Sequence, residues 1–378
     1  MLTLLWTWGL GCPKSSTFEI DPALPETGDS VQRLEPLSLL EQSAGSLDPA
    51  PRARALALLV ENGDDPDHWG QRALLDPSDW VRRAGIEALG RRGDAPSRAL
   101  LERAAADSEG DPYLRAMAAM AAPGPTASAA MADALTRERQ SWRVAPLALA
   151  AVRLGDGSAR PALEQALAQG ELPLDLPFLR EVGRSEERSL VTALARAQGR
   201  VEDELALPLA SARLMLGDAD AEATLRQAVT APDEERQLEA LDVLVDLDLP
   251  TALALVKRAS EGPPGLVRWY AELALAAHGD GDTGVFERAY REPDREVRAL
   301  AVEFAGRAAA GGTRRADKRA GQVVLAGLSD PDTTVRVTAC RAASALRLGA
   351  AATAAQGLLT DEAEIVRIEA SGALLSLR

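Results

Sequence analysis

One template recurs along this chain: an acid, usually followed by Pro, then an apolar residue and Arg six positions on, then a small residue. It stands clearest as Asp76-Pro77…Val81-Arg82…Gly85 and Asp330-Pro331…Val335-Arg336…Ala339. Glu292-Pro293…Val297-Arg298…Ala301 and Asp361-Glu362…Val366-Arg367…Ala370 repeat it, and Asp48-Pro49…Ala53-Arg54…Ala57 is a weaker first copy. Leu114-Arg115, Trp142-Arg143 and Val267-Arg268 keep the second half, and Gln237 stands where one Arg is due. The marker arginines lie about 28–38 residues apart, the period of stacked helical hairpins.

Each part of the template has a physical use. Asp before Pro reads as an N-cap followed by the residue best tolerated at the first helical position. Asp79 and Glu364 add negative charge to the first turn, where the helix dipole favours it. The apolar residue before Arg and the small residue four on share one helix face, and the small residue admits a neighbouring helix. Many such helices run into Gly-Asp, as at Gly93-Asp94, Gly155-Asp156, Gly217-Asp218 and Gly279-Asp280. Gly suits the left-handed C-terminal position and Asp can cap the next helix. The expected fold is therefore all-α: a solenoid of about ten helical hairpins over residues 47–378, stacked into an elongated, curved array.

Composition agrees and excludes some partners. Nearly half the residues are apolar but only 3% are aromatic, so Ala and Leu carry the core and favour close helix packing. The net charge of −15 repels phosphate backbones, so nucleic acid is not an expected partner. No apolar run reaches the length of a membrane span.

The Asp–Arg pairs with Val-Arg and an Ala-Leu-Gly ending resemble HEAT repeats, and most closely the short HEAT-like repeats named for phycobilin lyases. The resemblance is strongest at 75–105 and 290–378 and weakest between Glu171 and Asp203. It implies a hydrogen-bonded ladder between neighbouring repeats, in which Asp76, Arg82, Glu292, Arg298, Asp330, Arg336, Asp361 and Arg367 are structural. At the other end, the apolar stretch Leu2–Gly11 followed by Cys12 resembles a bacterial lipoprotein signal, which implies lipidation at Cys12 and an envelope location. Position 9 is Gly where Leu is usual, and no basic residue precedes the stretch. Without that signal the chain is expected in the cytoplasm. Residues 1–12 are thus a signal segment and 13–46, rich in Pro, Ser, Thr and acids, a flexible tether.

Chemistry-bearing constellations are scarce. His68 and His278 are the two histidines, about seven repeats apart, and no His-Glu pair of the kind HEAT-like hydroxylases use for iron occurs. Ser-His-Asp, Cys-His and phosphate-loop patterns are missing too. No catalytic residue, cofactor or metal ligand is expected, and Cys340 reads as a small core residue. The expected function is a non-catalytic scaffold holding a protein partner on its concave face. The alternative is a chromophore-lyase-like or other enzyme-accessory protein. Helical-wheel projection puts Trp80, Tyr113 and Trp269 away from the core, as partner contacts in the groove, and Trp142 in the core.

Overall fold

The structure, a computed structural model, describes residues 35–378 apart from 170–175, 202, 248, 311–313 and 378. Among the described residues there are twenty-two α-helices and no β-strand. The first hairpins are α1 (Pro36–Ser43) with α2 (Pro49–Asn62), α3 (Pro66–Leu74) with α4 (Asp79–Arg92), and α5 (Ala95–Ala106) with α6 (Pro112–Ala121). Next come α7 (Pro125–Arg137) with α8 (Ser141–Arg153), α9 (Arg160–Gln169) with α10 (Leu176–Gly183), and α11 (Leu190–Gln198) with α12 (Asp203–Met215). The series continues with α13 (Ala219–Val229) and α14 (Glu234–Val245), α15 (Pro250–Ser260) and α16 (Leu266–His278). It ends with α17 (Val285–Tyr290) and α18 (Arg295–Ala310), α19 (Arg314–Gly327) and α20 (Thr333–Ala345), α21 (Ala352–Leu358) and α22 (Glu364–Ser376).

The local sequence dictates where these helices begin and end. Asp48, Asp65, Asp94, Asp111, Asp218, Asp233 and Asp332 each accept a backbone N–H of the first turn through the side chain. Gly93 and Gly279 close α4 and α16 at φ of 63° and 91°, a conformation that a side chain would strain.

Every even-numbered helix packs on the next even-numbered one, whereas odd-numbered helices meet one another at only some joints. The closely packed layer lies at the smaller radius, so the even helices form the inner wall and the odd helices the outer. The stack does not end where the chain does. Both α1 and α2 pack on α22. Leu40, Leu56 and Leu58 share one apolar cluster with Ile368 and Leu375. At this seam a Cβ on Gly372 would lie 2.6 Å from Leu58 Cδ2, so glycine is what lets α22 approach α2. Arg54 reaches Glu369 with a bidentate pair at 2.8 and 2.7 Å, and Ser43 donates to Glu364.

Eleven hairpins thus close into a ring, which corrects the expected elongated array. The domain boundary moves as well. Residues 36–43 are helix α1 with Leu40 fully buried, so the solenoid begins before residue 47 and takes in the end of the segment read as a tether.

Candidate functional site

The template's Asp and Arg meet between repeats. Arg336 places Nε and Nη2 on the two oxygens of Asp361 at 2.8 and 3.1 Å, and Nη1 on the carbonyls of Asp330 and Pro331. Arg298 does the same to Asp330 and to the carbonyls of Glu292 and Pro293. The guanidinium fork thus clamps its own loop and the next one. Burial would raise the carboxyls of Asp330 and Asp361, but the arginine bonds and a backbone N–H outweigh it and hold both below the usual range. Arg336→Ala is expected to cost about 1–3 kcal/mol, because Asp361 loses its fork inside the protein. Chemical denaturation measures this, and an unchanged midpoint would remove Arg336 from the structural frame.

Several assignments need correction. Asp76, Asp330 and Asp361 are not N-caps. Each bonds the N–H two residues on, and the helix begins after Ser78, Asp332 or Ala363. In the first copy the clamp is Arg52, paired to Asp76 at 2.8 Å, and Arg54 turns to the seam instead. Arg82 and Arg367 bond their own loops, Arg82 through the Asp76 carbonyl and Asp79, Arg367 through the Asp361 and Glu362 carbonyls. Glu292 contributes only its carbonyl to the clamp. The preceding inner helix explains why. Trp269 N–H bonds Gly265 O just as Arg298 N–H bonds Asp294 O, so Trp269 holds the arginine's place in α16.

Counting from the residue before each inner helix locates the inner wall. Arg180 of α10 and Arg307 of α18 both reach Asp246, at the end of α14, at 2.6 and 3.4 Å. Side chains of alternate helices can meet only on the concave side. In α14 and α18 the thirteenth positions are Asp246 and Arg307 and the ninth are Asp242 and Glu303. At 100° per residue, positions nine and thirteen each lie about 20° from position two, so all three fall within one arc of about 40°. On α14 and α18 this stripe is charged throughout, with Glu235 and Glu296 at position two. Burial pushes the Glu303 carboxyl up to about 8, even though Arg307 stands 3.3 Å away, because that guanidinium is shared with Asp246. Glu369 is only 1% exposed. Burial would raise it, but Arg341 and Arg54 together draw it down to about 2.

Three consecutive inner helices carry an aromatic ring at position two. Position two is Trp80 in α4, Tyr113 in α6 and Trp142 in α8. Trp80 is 45% exposed and Trp142 41%, while Tyr113 is half-buried. Arg83 stacks over Tyr113 at 5.7 Å and Arg143 over Trp142 at 5.3 Å. Met117 and Met120, both half-buried, continue the apolar strip down α6. Trp142 is therefore not a core residue. Val144 N–H bonds Gln140 O, so Val144 holds the clamp position, and Arg143 pairs with Glu138 in its own loop at 2.6 Å. Trp269 leaves the group, half-buried against the core. Counting from the cap rather than from the arginine is the signal that finds Trp142.

Cys12 lies outside the described residues. His278 Nε2 is 3.1 Å from the Val245 carbonyl, and His68 meets the edge of Trp69. Burial pushes the Cys340 thiol up to about 12. Among the described residues no cluster of His, Cys, Asp and Glu is placed to hold a metal ion, and no helix is long and apolar enough to cross a membrane.

No family model matches the chain, and no curated protein matches it. Solved structures align along most of its length. An engineered protein of the Northeast Structural Genomics Consortium is 20% identical over 91% of this chain and 99% of its own, with a TM-score of 0.28. Human deoxyhypusine hydroxylase in complex with glycerol is 14% identical over 90% and 95%, with a TM-score of 0.26. A second engineered protein is 18% identical over 86% and 96%, with a TM-score of 0.25.

Proposed function

We propose that this chain is a non-catalytic protein-interaction scaffold whose partner sits on the inner wall of the ring, at the mouth formed by α4, α6 and α8. The row of Trp80, Tyr113 and Trp142 carries this reading. Trp80 and Trp142, 45% and 41% exposed at equivalent places, are large aromatic side chains left open to solvent among the described residues. Exposed aromatic rings beside arginine are the side chains that anchor protein partners most often. On α14 and α18 the same stripe is charge-paired through Asp246, Arg307 and Glu303, which suits a frame more than a reaction centre. The lipoprotein-like segment ending at Cys12 supports an anchored, envelope-facing version of the same scaffold.

Affinity capture with the native chain and with Trp142→Ser, from membrane and soluble fractions, tests the reading. A partner held by the native chain is expected to be lost from the variant at an unchanged melting temperature. Equal capture by both would move the interaction off this surface.

A further inference from the structure

A run of charges on the inner wall ties three helices together and stops on one buried acid. Arg180 of α10 holds Asp246 of α14 at 2.6 Å, and Asp246 in turn meets Arg307 of α18 at 3.4 Å, 61 residues along the chain. These contacts step over α12 and α16, so they join alternate helices. Arg307 has a second acid beside it. Its Nη2 stands 3.3 Å from Oε1 of Glu303, one turn back on α18, while its Nη1 faces Asp246. Of the two, only the Asp246 contact is a hydrogen bond, and Glu303 Oε1 is buried without one. The guanidinium, lying over the Phe304 ring at 5.1 Å, thus offers one nitrogen to each acid.

The surroundings of Glu303 decide which acid wins. Burial disfavours a carboxylate there, Asp242 and Asp246 of α14 repel it, Arg307 and Arg341 of α20 favour it, and Tyr270 of α16 is a neutral neighbour. Arg341 is committed to Glu369 at 2.7 Å, and Arg307 is shared. The carboxyl therefore keeps its proton up to about 8. A protonated Glu303 needs no counter-ion, which leaves Arg307 to Asp246. An ionised Glu303, buried and short of water, does need one. Arg307 is on the same helix four residues on, and side-chain rotation alone brings it closer. Asp246 then keeps Arg180 but loses α18.

We propose that Glu303 is a proton-operated latch on the inner wall. With its proton on, Arg307 ties α18 to α14 across α16; with its proton off, Glu303 draws Arg307 back to its own helix and the tie is released. One proton passes from the carboxyl to solvent, and no covalent bond changes otherwise. After release, α14 and α18 are joined through their packing on α16.

The test is a double-mutant cycle on the full chain, with Asp246→Asn and Arg307→Gln singly and together, read by urea unfolding at pH 6 and pH 9.5. Both side chains are partly exposed, so the variants leave the apolar core untouched. At pH 6 the pair is expected to be coupled about threefold in the unfolding equilibrium constant, the size of a partly exposed ion pair. At pH 9.5 that coupling is expected to vanish. Glu303→Gln holds the neutral form at every pH, and the same cycle in that background is expected to keep its coupling at both. Equal coupling at the two pH values in the native background, or its absence at pH 6, would overturn the proposal. So would an equal loss at pH 9.5 in Glu303→Gln, because another group would then be titrating. A second reading needs no destabilised variant. The nitrogen-15 resonance of the Arg307 guanidinium is expected to shift with a midpoint at about 8 in the native chain and to stay flat in Glu303→Gln. A flat response in both would equally overturn the latch.

Discussion

Glu369→Ala is expected to lower stability by about 3 kcal/mol, at the lower end of what removing one member of a buried ion pair costs. Glu369 is 1% exposed and serves two arginines, at 2.7 Å each: Arg54 across the seam and Arg341 on the neighbouring helix. Removing the carboxylate leaves both guanidiniums facing each other on the inner wall. Their remaining exposure, 27% and 35%, lets water relieve part of that and keeps the cost from running higher. The damage is local to the seam, so hydrogen exchange is expected to quicken in α1, α2 and α22 before it does elsewhere. A loss below about 0.5 kcal/mol, the size of an ordinary surface change, would mean that the seam closes by apolar packing alone.

The second large effect is a dependence on pH centred on Glu303. Its folded carboxyl titrates at about 8, against 4.5 for a free glutamate. The folded protein therefore binds more protons than the unfolded chain between those values. Stability from this group is complete below pH 4.5 and declines as pH rises to 8, by about 3–5 kcal/mol in all. Glu369 acts in the opposite sense. Its folded value of about 2 lies below 4.5, so its contribution is present above 4.5 and is lost as pH falls to 2. Together they place maximal stability on the acid side of neutrality. Glu303→Gln is expected to remove the decline between pH 5 and 8 and to stabilise the chain at pH 8. Equal slopes in native and variant melting curves would show that Glu303 is ionised throughout, held so by Arg307.

The repeat was legible because its rules are local. The all-α class, the glycine closures at Gly93 and Gly279 and the Asp–Arg spacing all follow from neighbours within one or two turns. The partners of the clamps were legible only in part: Arg298 and Arg336 reach the next repeat's Asp, but Arg52 rather than Arg54 holds Asp76, and Arg82 and Arg367 stay in their own loops. Closure was not, because it depends on small rotations accumulated over every hairpin and then on Arg54 and Glu369, 315 residues apart. The aromatic row was half legible. Trp80 and Tyr113 were found, but Trp142 was assigned to the core because Arg143 imitates the clamp while sitting one residue early. Trp269 was included for the same reason in reverse, since it occupies the clamp's own place.

The ring also changes how a protein of this kind can vary in length. An open stack can gain or lose a hairpin at either end, and the rest need not respond. In a closed one, each of the eleven hairpins supplies its share of a single full revolution. Deleting one would force every remaining joint to turn further, or leave Gly372 and Leu58 apart. Repeat number is then constrained as tightly as the size of a buried side chain. Descendants of such a chain are free to lengthen their loops but not to change their count.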